Sequence, residues 1–410
     1  MKINNYNVRA NLADAFLISA LFPFVSFNLT PFDTQPFTLI LGIICLIFSV
    51  FSFHINKLFR ISFVLVLIAL FISSFLMNGE IYYLIRALYN FFSFFFFLFL
   101  FSDLFRKKLV KNKLIIISNY IYLFFAFLQI YFPTITSIFV RSRIENSFYA
   151  GRGLSSLTPE PSHLGTISIL ISILLFITSG YRFRKNIFLH VFNIFSVIAL
   201  SRSASIVLVL IIGFLIFGIF NIYKIFNFKY LKFSLIYLLF IFSGIFYSIT
   251  YRTRIFRILE NVDFQNIKES LFILINADRS ISMRLQHFLI PLIAFFRDFG
   301  IPHAFNGLYE SAKAINLELN IFAIPTSSIK FMSFLGDWIY SLGIFGVVAL
   351  FIIFIPLFND KRIPSFLLIT FIMLLVTAVP ISTPLVPAVI SGFYHGNDNP
   401  LNINKNQFKK

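Results

Sequence analysis

Blocks of about twenty mostly apolar residues recur along this chain, separated by short polar segments. A helix needs about 20 residues to cross the hydrocarbon core of a bilayer, so each block is long enough to span it or nearly so. Backbone hydrogen bonds cannot be left open in lipid, and each block is therefore predicted to be helical. The candidate spans are 12–30, 37–53, 61–77, 81–101, 114–132, 163–179, 187–200, 203–220, 232–250, 332–357, 364–380 and the short, proline-broken 382–396.

The composition excludes most other classes of protein. Of the 410 residues, 59% are hydrophobic and only 12% are charged, about half the charged share of a typical soluble domain. An ordinary cytoplasmic enzyme, a secreted disulfide scaffold and a disordered protein are all ruled out. Cys45 is the only cysteine, which excludes an internal disulfide and a thiolate metal cluster. We predict an all-α, polytopic integral membrane protein with about 11–12 transmembrane helices.

The basic residues predict the orientation of these helices. The net charge of +18 is spread over short clusters between apolar blocks, which is the pattern of membrane orientation and not of nucleic-acid binding. The intervening loops 31–36 and 78–80 carry no Lys or Arg. We therefore expect a cytoplasmic N-terminus. The basic segments are 1–11, 54–60, 102–113, 181–186, 221–231, 359–363 and the C-terminal tail 397–410.

This orientation divides the chain into alternating membrane and periplasmic parts. Residues 1–132 are predicted to hold five transmembrane helices, 163–250 four more, and 332–410 two or three helices and the basic tail. Residues 133–162 form a periplasmic loop, and 251–331 form a large periplasmic loop. A loop of this length is usually functional.

Short helices are expected inside the large loop. Residues 279–299 have an apolar face interrupted by Pro291, which is typical of a kinked helix on or near the outer membrane surface.

The stretch from Gly151 to His163 is the most informative part of the sequence. Pro161 suits the first position of a helix, and Glu160 the cap position before it. The N-terminus of such a helix offers free backbone N–H groups and a partial positive charge to an anion. Arg152 adds a full positive charge just before it. The alternative interpretation is a plain helix cap followed by an interfacial histidine.

Three arginines elsewhere combine charge with an unusual location. Arg86 lies a third of the way into the fourth span, where a charge is costly and usually functional, although it could also reach the headgroups. Arg202 lies in a serine-rich turn between two spans. Arg284 and His287 are three residues apart and so share a helix face. They could clamp a phosphate and deprotonate a sugar, or they could simply form a solvated face.

Three short patches resemble the O-antigen polymerase family and the related O-antigen ligases. The first joins Arg152-Gly153-Leu154 to Glu160-Pro161-Ser162 at the head of a span. The second is the Ser201-Arg202-Ser203 turn, and the third is Ser282–Phe288 followed by Phe299–Pro302. The span count and the late, long outer loop also match this family. Some O-antigen polymerases have an Arg-x10-Gly spacing in their outer loops. Neither outer loop of this chain contains that spacing.

The resemblance implies a membrane glycosyltransferase that joins oligosaccharide repeat units carried on undecaprenyl diphosphate. The reaction would take place on the periplasmic side of the bacterial inner membrane. Arginines would hold the diphosphate leaving group, and a carboxylate or imidazole would act as general base. No metal and no cofactor is expected. The candidate ligands of diphosphate and glycan are Arg86, Arg152, Arg202 and Arg284, and the candidate catalytic residues are Glu160, His163 and His287.

Two other functions stay open at this point. An O-antigen ligase would transfer the finished glycan from undecaprenyl diphosphate to lipid A core with a similar architecture. A lipid-linked oligosaccharide flippase would need charges in mid-span and short outer loops, which fits this chain less well. The expected partners are the lipid-linked oligosaccharide and membrane lipid, with a chain-length regulator left open and no nucleic acid. The product could be O-antigen, capsule or another surface polysaccharide.

Overall fold

The computed structural model describes residues 2–27, 35–48, 50, 56–76, 81–141, 153–220, 276, 279–323, 326, 331–377 and 379–395. Every regular element in these ranges is helical, in agreement with the all-α prediction. The predicted ninth span, 232–250, lies outside the described ranges, as do residues 251–275, 277–278, 324–325 and 327–330 of the large loop.

The described ranges contain thirteen α-helices, numbered in chain order, and six segments in these ranges are long and apolar enough to cross a membrane. Those six are α3, α4, α5, α6, α11 and the stretch Phe183–Leu200 that contains α7. The helices are α1 (Lys2–Leu21), α2 (Phe37–Ile47), α3 (Lys57–Phe75), α4 (Ile81–Arg106), α5 (Asn112–Tyr131), α6 (Pro161–Thr178), α7 (Ile187–Phe195, continued by a π-helix over Ser196–Leu200), α8 (Ala204–Phe220), α9 (Arg279–Arg297), α10 (Leu308–Leu319), α11 (Phe334–Asn359), α12 (Ser365–Thr377) and α13 (Leu385–His395).

Two N-terminal helices have other bounds than the apolar blocks that predicted them. The block 12–30 predicted a helix through residue 30, but α1 begins at Lys2 and ends at Leu21. Pro23 explains the early end, because the residue before a proline is disfavoured in the α conformation. Among the described residues of the block 37–53, the helix covers Phe37–Ile47, and Phe48 and Val50 lie outside it. Apolar composition therefore predicted that these two helices exist, but it did not predict the residues at which they begin and end.

Basic residues gather at one end of the bundle, which we call the basic end. Asp103, on α4, is buried and accepts ion pairs at 2.7 Å from both Arg106 and Lys107. The Arg362 guanidinium lies 5.8 Å from the ring centre of Tyr181, so the α6–α7 and α11–α12 connections meet there. This clustering is what the positive-inside pattern requires of one membrane face.

The last predicted span, 382–396, is a short helix surrounded by protein. Helix α13 covers Leu385–His395, which corresponds to about 16 Å and so to about half of a bilayer. It packs along α4 and α6, and the Ser391 hydroxyl donates to the Leu98 carbonyl at 3.0 Å. Residues 385–393 are all buried. Helix α13 is therefore a half-length element inside the bundle.

Helix α11 is interrupted at Gly343, which has φ 54° and ψ −140°. In an unbroken helix the Ile344 N–H would donate to the Tyr340 carbonyl four residues earlier. Here Ile344 donates to the Gly300 carbonyl at 2.8 Å, and the Tyr340 carbonyl accepts from the His303 N–H at 3.0 Å. The segment between α9 and α10 thus occupies the break and satisfies both backbone groups that it exposes.

Candidate functional site

Helix α6 begins at Pro161 with Glu160 as its N-cap residue. This confirms the helix start that the Glu-Pro-Ser sequence predicts. Glu160 has an extended backbone (φ −146°, ψ 153°), and its side chain makes no capping hydrogen bond. The first-turn N–H groups of α6 are therefore not capped by Glu160. We call the end of the bundle at which α6 and α8 begin the site end.

The segment before Glu160 is folded into the protein and anchored by Gln129 of α5. The Gln129 Oε1 accepts from the backbone N–H of Ser155 at 3.0 Å and from that of Ser156 at 2.9 Å. The Gln129 Nε2 donates to the Ser155 hydroxyl at 3.1 Å. Ser156, at φ 51°, donates its own hydroxyl to the Tyr122 carbonyl at 2.6 Å. One buried amide thus fixes the path of the chain that leads to Glu160.

The same segment packs directly on the Ser201-Arg202-Ser203 turn. The Leu154 N–H donates to the Leu200 carbonyl at 2.7 Å. Gly153 has φ 87°, and a Cβ at this position would lie only 2.3 Å from the Ser201 carbonyl oxygen. Only glycine fits here, since the conformation is left-handed and the space is filled by backbone. Two patches that are far apart in sequence therefore form one surface.

Arg284 of α9 joins this surface. Its guanidinium donates to the Ser205 hydroxyl, and that hydroxyl lies 3.1 Å from the hydroxyl of Ser203. Arg284 is only 7% exposed, whereas Arg202 is partly exposed and has φ 46°. The structure therefore brings Arg202 and Arg284 to the same serine-rich turn. Arg152, the third arginine of the prediction, lies outside the described residues.

His287 shares α9 with Arg284 but has different partners. It is fully buried, its Nδ1 accepts from the Met332 N–H at 3.3 Å, and its Nε2 lies 3.5 Å from the Thr326 hydroxyl. Burial, helped by the nearby Arg284 charge, lowers the pKa of His287 to about 4. His287 is therefore neutral at neutral pH and a weak proton acceptor. The pair does not form the solvated face that the alternative interpretation expected.

Glu160 and His163 are more accessible than His287. Both are partly exposed. The Ser162 hydroxyl donates to the Glu160 Oε2 at 3.4 Å, and the His163 ring packs on the ring of Phe24 with centres 5.1 Å apart. A carboxylate at the N-cap of α6 and an imidazole on its first turn thus lie at the same end of the bundle as the serine-rich turn.

Arg86 is placed beside an acidic residue that sequence reasoning missed. It interacts electrostatically with Asp337 of α11, and Asp337 also accepts from the Ser341 hydroxyl at 2.8 Å. The neighbouring Gly336 lies so close to α9 that a Cβ would overlap the His287 carbonyl oxygen. An acidic residue at the start of an apolar block was the available signal for this pairing.

The site end offers a defined set of chemical groups. Arginine guanidinium groups can bind phosphate oxygens in pairs, hydroxyl groups can share a hydrogen-bond network, and a partly exposed carboxylate can accept a proton. In the part of the chain that the structure describes, no cluster of three His, Cys, Asp or Glu residues is placed to hold a metal ion. The chain matches no protein-family model, no curated protein and no solved structure.

Proposed function

We propose that this protein is a membrane glycosyltransferase that polymerises oligosaccharide repeat units carried on undecaprenyl diphosphate. The observation that supports it most is the meeting of Arg202 and Arg284 at one serine-rich turn, against the Gly153 segment that leads to Glu160. Arginine guanidinium groups are suited to the oxygens of a diphosphate. The apolar helices around them suit a substrate whose carrier is a lipid.

The proposed step transfers a glycan from its lipid carrier to a sugar hydroxyl. The bond between the anomeric carbon and the diphosphate oxygen breaks, and a new bond forms between that carbon and the hydroxyl oxygen of the next unit. The hydroxyl proton passes to the general base, and the lipid diphosphate leaves with the electron pair of the broken bond. Arg202 and Arg284 stabilise the negative charge that develops on the leaving group. Cleavage of the bond between the glycan and its lipid diphosphate supplies the free energy of the transfer, so no nucleotide is needed.

Glu160 is the base that the geometry favours. A general base must approach the hydroxyl that it deprotonates, and Glu160 is partly exposed at the site end. His287 has both ring nitrogens facing Thr326 and Met332 inside the protein, and its pKa of about 4 makes it a weak acceptor. His163 stands on the first turn of α6 and could orient the acceptor sugar.

The proposal places the protein in the bacterial inner membrane. The basic end would face the cytoplasm and the site end the periplasm, because positive residues concentrate on the cytoplasmic side of such proteins. Membrane lipid and the lipid-linked oligosaccharide are its proposed partners. Arg86 and Arg152 are proposed to bind glycan or diphosphate beside Arg202 and Arg284.

A deletion strain complemented with variants tests this function. We expect loss of the gene to leave surface core capped with a single repeat unit, and Glu160→Gln or Arg284→Lys to fail to restore the glycan ladder. Two matched controls, Glu310→Gln on α10 and Arg297→Lys on α9, change exposed residues and should restore it. Each variant is checked for wild-type membrane levels.

Other outcomes of this experiment would reject polymerisation. Lipid-linked polymer without transfer in the deletion strain would indicate a ligase, and single units stranded on the cytoplasmic leaflet would indicate a flippase. Normal ladders from both Glu160→Gln and Arg284→Lys would remove the proposed site.

A further inference from the structure

Helix α7 and the residues at its two ends carry a stripe of polar side chains, three of them buried and Asn186 partly exposed, that the proposed glycosyl transfer does not use. We call Asn186, His190, Asn193 and Ser196 the α7 stripe. His190 is 6% exposed, and Asn193 and Ser196 are each 1% exposed. They lie in Phe183–Leu200, the least apolar of the six candidate membrane spans, with a mean hydropathy of 1.3. Polar residues buried inside a membrane helix usually mark a functional path.

Five side-chain atoms of the α7 stripe have no hydrogen-bond partner among the residues that the structure describes. They are the Nδ2 of Asn186, the Nε2 of His190, the Nδ2 and Oδ1 of Asn193 and the Oγ of Ser196. Each buried polar group left unpaired costs about 1–3 kcal/mol. Lipid tails offer no donor or acceptor, and so water is the partner that can satisfy these atoms.

The spacing of the α7 stripe suits a continuous chain of water molecules. His190, Asn193 and Ser196 follow one another at intervals of three residues, which places them on one helix face, and Asn186 precedes this face by four residues as the N-cap residue of α7. Neighbouring side chains on such a face are about 5–6 Å apart, a gap that one water molecule bridges. The stripe faces the interior: the His190 Nδ1 and the Ser172 hydroxyl of α6 are 2.6 Å apart, whereas Phe188 on the opposite face is 78% exposed.

Both ends of the α7 stripe meet polar surroundings. Asn186 follows Lys185 at the basic end. Ser196 opens the π-helix Ser196–Leu200, which leads directly into Ser201 and Arg202 at the site end. π-helical turns widen a helix locally and occur often at functional sites. The stripe covers about 15 Å of helix, and the serine-rich turn continues it to the site end.

We propose that the interface of α6 and α7 holds a hydrogen-bonded chain of water molecules. This chain conducts protons between the basic end and the serine-rich turn that contains Arg202. For each proton that enters the water chain at one end, another proton leaves at the other end. No side chain and no water molecule is therefore used up. The driving force is the membrane potential or a pH gradient. This activity is separate from the proposed glycosyl transfer and needs no glycan.

Proton flux into vesicles tests the proposal directly. The purified full-length protein is reconstituted into phospholipid vesicles that contain a pH-sensitive dye, and a potassium gradient with valinomycin sets the voltage. We expect wild-type vesicles to acidify faster than protein-free vesicles. Asn193→Leu, which replaces the unpaired amide with an apolar group of similar shape, should return the rate to that of protein-free vesicles. Phe188→Leu, on the lipid-facing side of α7, should conduct like the wild type.

A second variant covers the case in which Asn193→Leu does not fold. Ser196→Ala removes one unpaired oxygen without adding volume, and it should also slow the flux. Wild-type vesicles that acidify no faster than protein-free ones would overturn the proposal, as would wild-type rates from both variants. Since the assay contains no glycan, its result is independent of whether the polymerase proposal stands.

Discussion

The carbonyl oxygen of Gly300 occupies the place where a Gly343 side chain would begin. A Cβ built on Gly343 would lie 2.3 Å from that oxygen, which instead accepts the Ile344 N–H at 2.8 Å. The connection between α9 and α10 is thereby inserted into the break of α11. Because α9 also carries Arg284, this contact links the serine-rich turn to the membrane helix α11 through α9.

We predict that Gly343→Ala strongly destabilises the protein. Alanine at φ 54° is strained, at about 1–3 kcal/mol, and its Cβ would in addition collide with backbone that cannot move aside. The thermal midpoint in detergent should fall well below that of the wild type. Gly180→Ala is the matched control, since Gly180 also has positive φ (73°) but no atom within 4 Å of its Cβ position. Equal midpoints for the two variants would show that the inserted segment is not packed as described.

Gln129 is predicted to position the segment that leads to Glu160. Gln129→Leu would leave the N–H groups of Ser155 and Ser156 buried and unpaired, at about 1–3 kcal/mol each. We expect loss of the glycan ladder together with easier proteolysis within residues 153–160. Asn119→Leu is the control, because Asn119 lies buried on the same helix with its Nδ2 unpaired. A normal ladder and normal proteolysis from Gln129→Leu would exclude the positioning role.

His287 should make stability depend on pH. Its pKa is about 4 in the folded protein against 6.5 for the unperturbed group, so the folded state binds this proton less readily than the unfolded state. Its contribution is therefore fully present above about pH 6.5 and is lost as the pH falls towards 4, by about 3 kcal/mol in all. His287→Gln removes the titration. The difference in unfolding midpoint between wild type and variant should change between pH 7.5 and 4.5, and a constant difference would contradict the buried position of His287.

The sequence predicted the helical architecture and one element of the site well. Long apolar blocks such as 61–77 and 81–101 correspond to α3 and α4, because twenty apolar residues have few stable alternatives in a membrane. The start of α6 at Pro161 was also correct, since proline at the first helical position is a local signal.

Long-range contacts and interruptions were harder to predict. The role of Gln129 depends on partners 26 and 27 residues further along the chain, and a single glutamine in an apolar block gives no sign of them. The break at Gly343 depends on the segment from Gly300 to His303, which no local pattern reveals. His287 was expected to share a role with Arg284 because they lie on one helix face, but tertiary packing separates their partners.

The central claim is that the arginines at the serine-rich turn and Glu160 extend a lipid-linked glycan. The most direct measurement uses purified protein in liposomes with an undecaprenyl-diphosphate-linked repeat unit as the sole substrate. We expect wild-type protein to produce a ladder of longer lipid-linked glycans, and Glu160→Gln and Arg284→Lys to leave single units although both proteins reconstitute normally. Single units alone from the wild type, or ladders from both variants, would contradict the account.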